Sequence, residues 1–219
     1  MKIVSFGDIH EDTKNLLKIK LILETSDLIV ISGDLTNCNG KKEAEKVLKS
    51  VKSYNPQVLV QYGNMDMPEV NEYLTREGIN LHGNGYVFGD IGIFGCGGSS
   101  PTPFNTPSEI SESDIERYLL AGYSKVKDSR WKVMVCHTPP KDTKLDVVRS
   151  GMHVGSKVVR DFILKYKPDI CISGHIHESK GRDTLGDTVV LNAGMLKDGG
   201  YIEVVISKVG VSADLKLIT

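Results

Sequence analysis

The chain has no surplus of charge of either sign: 27 Lys and Arg stand against 28 Asp and Glu in 219 residues. A polyanion-binding protein needs a basic excess or a basic stripe, so nucleic acid is disfavoured as the partner. There is also no CxxC. Cys38, Cys96, Cys136 and Cys171 are widely scattered, three of them in or at the end of apolar runs, and they read as buried free thiols of a reducing compartment. No apolar run approaches the roughly 18 residues that span a bilayer. The chain opens directly on the strand-like MKIVSFGD, with neither the basic nor the apolar region of a leader. A cytoplasmic protein with no membrane segment is expected. Internal repeats, linkers and low-complexity segments are missing too, so residues 1–219 read as a single domain.

What is present is a series of short apolar runs bounded by turn residues: KIVSF (2–6), DLIVIS (27–32), VLVQY (58–62), VMVC (133–136) and DICIS (169–173). Helical spacing lies between the early ones. Leu16, Leu17, Lys20, Leu21 and Leu23 share one face of residues 13–24, and Ala44, Val47, Leu48 and Val51 share one face of 41–53. Strand alternating with helix predicts an α/β protein with a mostly parallel sheet and right-handed crossovers. Further on, 86–95 reads as a hairpin turning at Gly89-Asp90, and 108–127 and 156–167 read as helices. The runs TVVLN (188–192), GYIEVVI (200–206) and VSADLKLI (211–218) look antiparallel. A parallel half followed by an antiparallel half predicts two sheets packed face to face with helices outside. Two long loops, 95–109 and 137–156, interrupt this regularity, and loops of that length are more often functional than idle.

The strand ends carry the chemistry. The first run ends in Asp8-Ile9-His10, the second in Gly33-Asp34 and the third in Gly63-Asn64; VMVC ends in His137 and DICIS in Gly174-His175-Ile176-His177. Ligand sites of open α/β sheets form at the carboxyl ends of strands. If the chain stays extended, Asp8 with His10 and His175 with His177 each point to one side. Four imidazoles, two carboxylates and one amide are too many donors for a single four-coordinate ion. Two divalent ions about 3.5–4 Å apart, sharing a carboxylate, would use them all. Their combined charge, less that of the two Asp, leaves a positive pocket suited to a phosphate ester.

Each piece has a plainer reading. Gly-Asp occurs at 7–8, 33–34, 89–90 and 186–187, and the last two fit hairpin turns. His82 follows Leu81 beside a Gly-rich turn and reads as a surface or turn histidine; Asp8 and His10 could merely start the helix over 13–24. The weight rests on the set, in which four of the six histidines fall at strand tips and two of them form GHxH.

In that order, D-x-H, G-D, G-N, a His after a strand and G-H-x-H resemble the calcineurin-like metallophosphoesterase superfamily, over residues 3 to about 195. The resemblance implies a four-layer α/β/β/α sandwich, two mixed β-sheets face to face with flanking helices, and a site for two divalent metal ions. Manganese is taken first, with iron, zinc, nickel and cobalt as alternatives. It further implies that Asp8, His10 and His177 hold one ion, that Asn64, His137 and His175 hold the other, and that Asp34 bridges them. The expected activity is hydrolysis of small phosphate esters by a metal-bridging hydroxide, diesters before monoesters. The alternatives are a non-catalytic metal- or phosphate-binding scaffold on the same fold, and a nuclease. GGSSPTPFNTP and HTPP…GHIHESKG resemble small prokaryotic members more than the large eukaryotic protein phosphatases.

One position departs from the family pattern. The third motif usually reads GNHD or GNHE, and here it is GNMD, so Met65 stands where an imidazole would meet the phosphate and help the leaving group. Methionine can neither donate a proton nor bind a hard ion well. Positioned acid catalysis is worth ~10²–10⁴-fold, about 3–5 kcal/mol of barrier. Asn64 and Asp34 stay available as catalytic residues, and His153 in the 137–156 loop is the candidate replacement acid. Arg149 and Lys141 could hold phosphate, and Ser99, Ser100 and Asn105 could hydrogen-bond substrate. Asp66 is read as the N-cap of the next helix, with Glu69 completing a capping box.

Overall fold

The computed structural model describes residues 1–218. Its first sheet takes strands β1 (Lys2–Phe6), β2 (Leu28–Ile31), β3 (Val58–Val60), β10 (Gly200–Ile206) and β11 (Val211–Leu217), in the order β11-β10-β1-β2-β3. The second takes β4 (Asn84–Phe88), β5 (Ile91–Cys96), β6 (Trp131–Cys136), β7 (Ile170–Ser173), β8 (Gly181–Leu185) and β9 (Thr188–Asn192), in the order β4-β5-β6-β7-β9-β8. Both sheets are mixed. β1, β2 and β3 run parallel, as do β5, β6, β7 and β9, while β10, β11, β4 and β8 pair antiparallel with their neighbours.

Alternation along the strands gives each sheet two apolar faces, as strands covered on both sides require. Ile3, Leu28, Val30 and Leu59 of the first sheet meet Ile93, Val133, Val135 and Ile172 of the second. Phe6, Ile29, Ile31 and Val60 point the other way, onto α2 (Lys41–Lys52) and α3 (Pro68–Arg76). Phe94, Met134, Cys171 and Val190 face α4 (Glu112–Val126) and α5 (Lys157–Tyr166). Helix, sheet, sheet, helix is the layering implied by the motifs. None of the helices in the described residues is long and apolar enough to cross a membrane.

Three sequence expectations need correction. Residues 13–24 are not one α-helix but a 3-10 turn over Lys14–Ile19 followed by the short α1 (Lys20–Glu24). The tighter winding shifts the phase, so Leu16, Ile19 and Leu23 are buried while Leu17 and Leu21 are 67% and 74% exposed. TVVLN does not join an antiparallel end, because β9 runs parallel to β7 in the second sheet. Cys38 is exposed rather than buried; the other three cysteines are buried in the described fold.

Strand register places the site. Phe6, Ile31 and Val60 lie level across β1, β2 and β3, so the loops leaving them start side by side. Cys96 is level with Cys136, and His137 follows at once.

Candidate metal centre

The tips are zipped together by backbone before any side chain acts. The N–H of Asp8 donates to the Gly33 carbonyl, and those of Ile9 and His10 donate to the Asp34 carbonyl. The chain does not stay extended here, contrary to the sequence reading. Asp8, His10, Asp34 and His175 have φ of 47°, 47°, 51° and 68°. This left-handed backbone costs roughly 1–2 kcal/mol per residue, least for Asp, Asn and His. Four candidate ligands are thus turned inward on three strained loops held by their neighbours, a pattern typical of functional sites. At Gly63 a Cβ would lie 2.0 Å from Asp34 Oδ1. Only a residue without a side chain leaves that carboxylate its place.

Two donor sets meet at one carboxylate. His10 Nε2 is 3.3 Å from His177 Nε2, and His177 Nε2 is 3.2 Å from Asp8 Oδ1. With Asp34 these groups present donor atoms all within 4.8 Å of one another. On the other side, Asn64 Oδ1 is 3.1 Å from His137 Nε2 and 2.7 Å from His175 Nδ1. Asp34 Oδ2 faces both sets, 3.7 Å from His10 Nε2 and 3.3 Å from His137 Nε2. Donors around an ion bound at ~2.0–2.2 Å would sit about 3.0–3.5 Å apart; four of these six distances lie in that range, while Asn64–His175 at 2.7 Å and His10–Asp34 at 3.7 Å lie just outside it.

The hydrogen bonds behind these groups aim their lone pairs. His137 Nδ1 lies 3.0 Å from the Ser32 carbonyl, which can only accept, so Nδ1 carries a hydrogen there and Nε2 is left for the site. The Met65 N–H donates to Asp34 Oδ1 at 2.8 Å, leaving Oδ2 to face both donor sets. Asn64 Nδ2 donates to Thr106 Oγ1 at 3.0 Å, and the Thr106 hydroxyl donates to Glu109 Oε1 at 2.8 Å. That relay fixes the amide with its oxygen toward the two histidines.

The buried carboxylates and imidazoles balance one another's charge, and an ion at His137 Nε2 would take the place of the proton that Asp34 stabilises there. Burial raises Asp34, but His137, then His10 and the Met65 N–H, outweigh it and hold the carboxyl well below the usual range. Burial works against His137 in turn, and Asp34 overrides it, lifting the imidazole to about 9. Burial lowers His175 to about 4, so it keeps a lone pair at neutral pH. Burial also opposes charge on His177, and Asp8 nonetheless raises it.

Residues 1–179 match the family profile described as calcineurin-like phosphoesterase. The chain belongs to this family. An uncharacterised protein of Methanocaldococcus jannaschii is 35% identical over 196 residues, which is 88% of this chain and 87% of the relative. The calcineurin-like fold also recurs in the crystal structure of TT1561 of Thermus thermophilus, with a TM-score of 0.73, 19% identity and 97% of both chains covered. A dimetal phosphatase from Danio rerio gives a TM-score of 0.67 at 10% identity, over 100% of this chain and 96% of its own. At these identities the two structures speak for the fold alone.

At the candidate metal centre this calcineurin-like chain opens a cleft of about 1160 Å³, lined by Asp34, Asn64, His175 and His177 and by loops 100–107 and 148–155. Met65, Ser100, Asn105, Lys141, Arg149 and His153 all line it, whereas Ser99 is buried with its hydroxyl donated to the Ser100 carbonyl. His153 Nδ1 is 2.7 Å from Oδ1 of the buried Asp146, which leaves the other ring nitrogen free.

Two further sequence readings fail around the site. Asp66 caps no helix, since α3 begins at Pro68 behind Met67. Its buried carboxylate accepts the N–H groups of Leu35, Thr36 and Gly63 and ties the β2 and β3 tips together. Burial and the charge of Asp34 push it up to about 7 against those donors. Glu69 instead accepts the Lys41 N–H at the start of α2. His82 is no surface histidine either: its ring stacks at 3.8 Å from that of Tyr118 and 4.9 Å from that of Tyr62, and Nδ1 accepts the Gly97 N–H. Thr106, Glu109 and Asp146 were missed. The one available signal was their place in the two long loops, near motif residues.

Proposed function

We propose that this chain is a two-metal-ion phosphoesterase that prefers phosphodiesters, with Asp8, His10 and His177 at one ion, Asn64, His137 and His175 at the other, and Asp34 between them. One observation carries the reading: a single oxygen of Asp34 faces nitrogen donors from both sets, 3.7 Å from His10 and 3.3 Å from His137. Bound there, the ions would lower the pKa of a shared water from 15.7 toward ~7 and neutralise the charge of the phosphate. Mixed nitrogen and oxygen donors suit manganese, with iron, zinc, nickel and cobalt as alternatives.

The chain's own groups do the rest. Met65 holds the bridging carboxylate through its N–H and offers no proton through its side chain. His153, oriented by Asp146 on the cleft wall, is the group we assign to the departing oxygen, where it would deliver the proton. Hydrolysis of a diester and of a monoester each expels one alkoxide, which His153 would protonate in either case, so the diester preference is what paired substrates must test. The formal net charge of −1 speaks against a nuclease. Met65 alone favours the scaffold alternative.

The test strips the metal, adds manganese back, and measures hydrolysis of an aryl phosphodiester and the matching monoester, with Asp34→Asn as control. Manganese-dependent turnover of the diester, lost in Asp34→Asn, is expected. Absence of turnover with every divalent ion would transfer the assignment to a binding scaffold.

A further inference from the structure

The cleft has a second wall with no role at the metal centre. Phe104 is 81% exposed, Met152 62% and Val154 39%, and all three line the cleft that also holds Asp34, Asn64 and Met65. Apolar side chains on free loops would normally fold onto each other or onto the body, so their exposure needs a cause.

The cause lies in two carboxylates inside the loops. Glu109 Oε1 accepts the hydroxyl of Thr102 at 2.5 Å and both the N–H and the hydroxyl of Thr106 at 2.8 Å. Phe104 stands midway between those pinned threonines. Asp146 accepts the N–H groups of Asp142, Thr143 and Gly155 at 3.1, 2.9 and 3.0 Å, besides its contact with His153. Met152 and Val154 sit within that second span, and the Val154 N–H is bonded to the Asp146 carbonyl. Each loop is therefore stapled at its base, and its apolar tip is presented to the cleft before any ligand arrives. Pre-organisation of this kind favours binding by removing the cost of ordering.

From this wall we infer a subsite for a planar aromatic ester group of the substrate, resting on the two-metal reading for where the phosphate sits. A phosphate at Asp34, Asn64, His175 and His177 has its ester group in the same cleft as the wall. Phe104 offers a ring face for stacking, and the thioethers of Met65 and Met152 supply the soft contacts that sulfur makes with aromatic rings. A rigid ring also loses less freedom on binding than an alkyl chain of equal area. On this account Met65, besides removing an acid, extends the apolar wall to the edge of the metal centre.

The experiment is calorimetric titration of the manganese-loaded protein with phenylphosphonate and methylphosphonate, neither of which can be hydrolysed as an ester. Phenylphosphonate is expected to bind about tenfold more tightly. In Phe104→Ala that advantage should shrink to less than about threefold with methylphosphonate unchanged, and Met152→Ala should shrink it less. Phe104 is exposed, so its removal does not endanger the fold. A nucleoside 5′-phosphonate in a third arm distinguishes an aryl alcohol from a nucleobase as the ring. Equal binding of the phenyl and methyl compounds, or an equal loss of both in Phe104→Ala, overturns the subsite and leaves the two-metal reading standing. Failure of every phosphonate to bind overturns the two-metal reading, and the subsite with it.

Discussion

Thr106→Val tests the relay behind Asn64 with little change of shape. The variant removes the oxygen that accepts from Asn64 Nδ2 at 3.0 Å and donates to Glu109 at 2.8 Å. A donor left without its partner costs about 1–3 kcal/mol, which corresponds to roughly 5–150-fold in an equilibrium constant. Groups that orient metal ligands from behind are typically worth 10–100-fold in metal affinity. Both routes converge near 30-fold, or about 2 kcal/mol. Nothing then holds the amide with its oxygen toward His137 and His175, and the rotated form would aim an NH₂ at both rings. The loss should fall on the ion of the Asn64 set alone. Titration of the metal-free protein with manganese should show one site weakened 10–100-fold and the other within about threefold of wild type. Two unchanged sites would refute the relay. Parallel loss at both sites, with a lower Tm of the metal-free protein, would mean that Thr106 is structural and does not orient a ligand.

Asp66→Ala leaves the buried N–H groups of Leu35, Thr36 and Gly63 without an acceptor, and should destabilise the fold by about 3 kcal/mol; a change in urea midpoint worth less than about 1 kcal/mol would contradict the bracing role. His82 is held by burial at about 4 in the fold against an ordinary 6.5. The unfolded chain therefore takes up the extra proton between those values, so this contribution to stability is complete above pH ~6.5 and lost as pH falls toward ~4. His82→Asn keeps an acceptor for Gly97 and should lose about 2–3 kcal/mol less than wild type over that range, read from urea unfolding at several pH values; parallel curves would remove His82 as the cause. His153→Gln should lower kcat by about 100-fold or more for a diester with an alkyl leaving group and by less than about threefold for one with a nitrophenyl leaving group. Equal loss on both substrates would show that His153 is not the acid.

The family and its layering were legible because each sheet strand at the site is a short apolar run that stops at a glycine or directly at a donor. Asp8, Asp34, Asn64, His137, His175 and His177 all announce themselves by following such a run. What failed was local. β8, GRDTL, is an edge strand with alternate residues exposed, and its charges hide any strand period. The 3-10 winding over Lys14–Ile19 displaces the apolar stripe, because 3.0 and 3.6 residues per turn select different faces. Asp66 sits in front of Pro68 and Glu69 in the spacing of a cap, yet its partners, Leu35 and Thr36, are some thirty positions away and leave no mark on the local pattern. Asp146 is similar: four donors converge on it through loop geometry that no periodicity reports.

The path of the chain through the first sheet also sets when the centre can come into being during synthesis. β1 leads into Asp8 and lies between β2 and β10, and the Asp8 carbonyl accepts the Leu196 N–H. The Asp8 carboxylate in turn receives the N–H of His175 across 167 positions. On a ribosome emitting the chain from its amino end, Asp8, His10 and Asp34 come early, whereas His175, His177 and Leu196 join them only when most of the chain has been made. Long-range pairing of this kind slows folding and leaves strand edges open meanwhile. A full set of donors for the proposed ions therefore exists only once His175 and His177 have been made, late in synthesis.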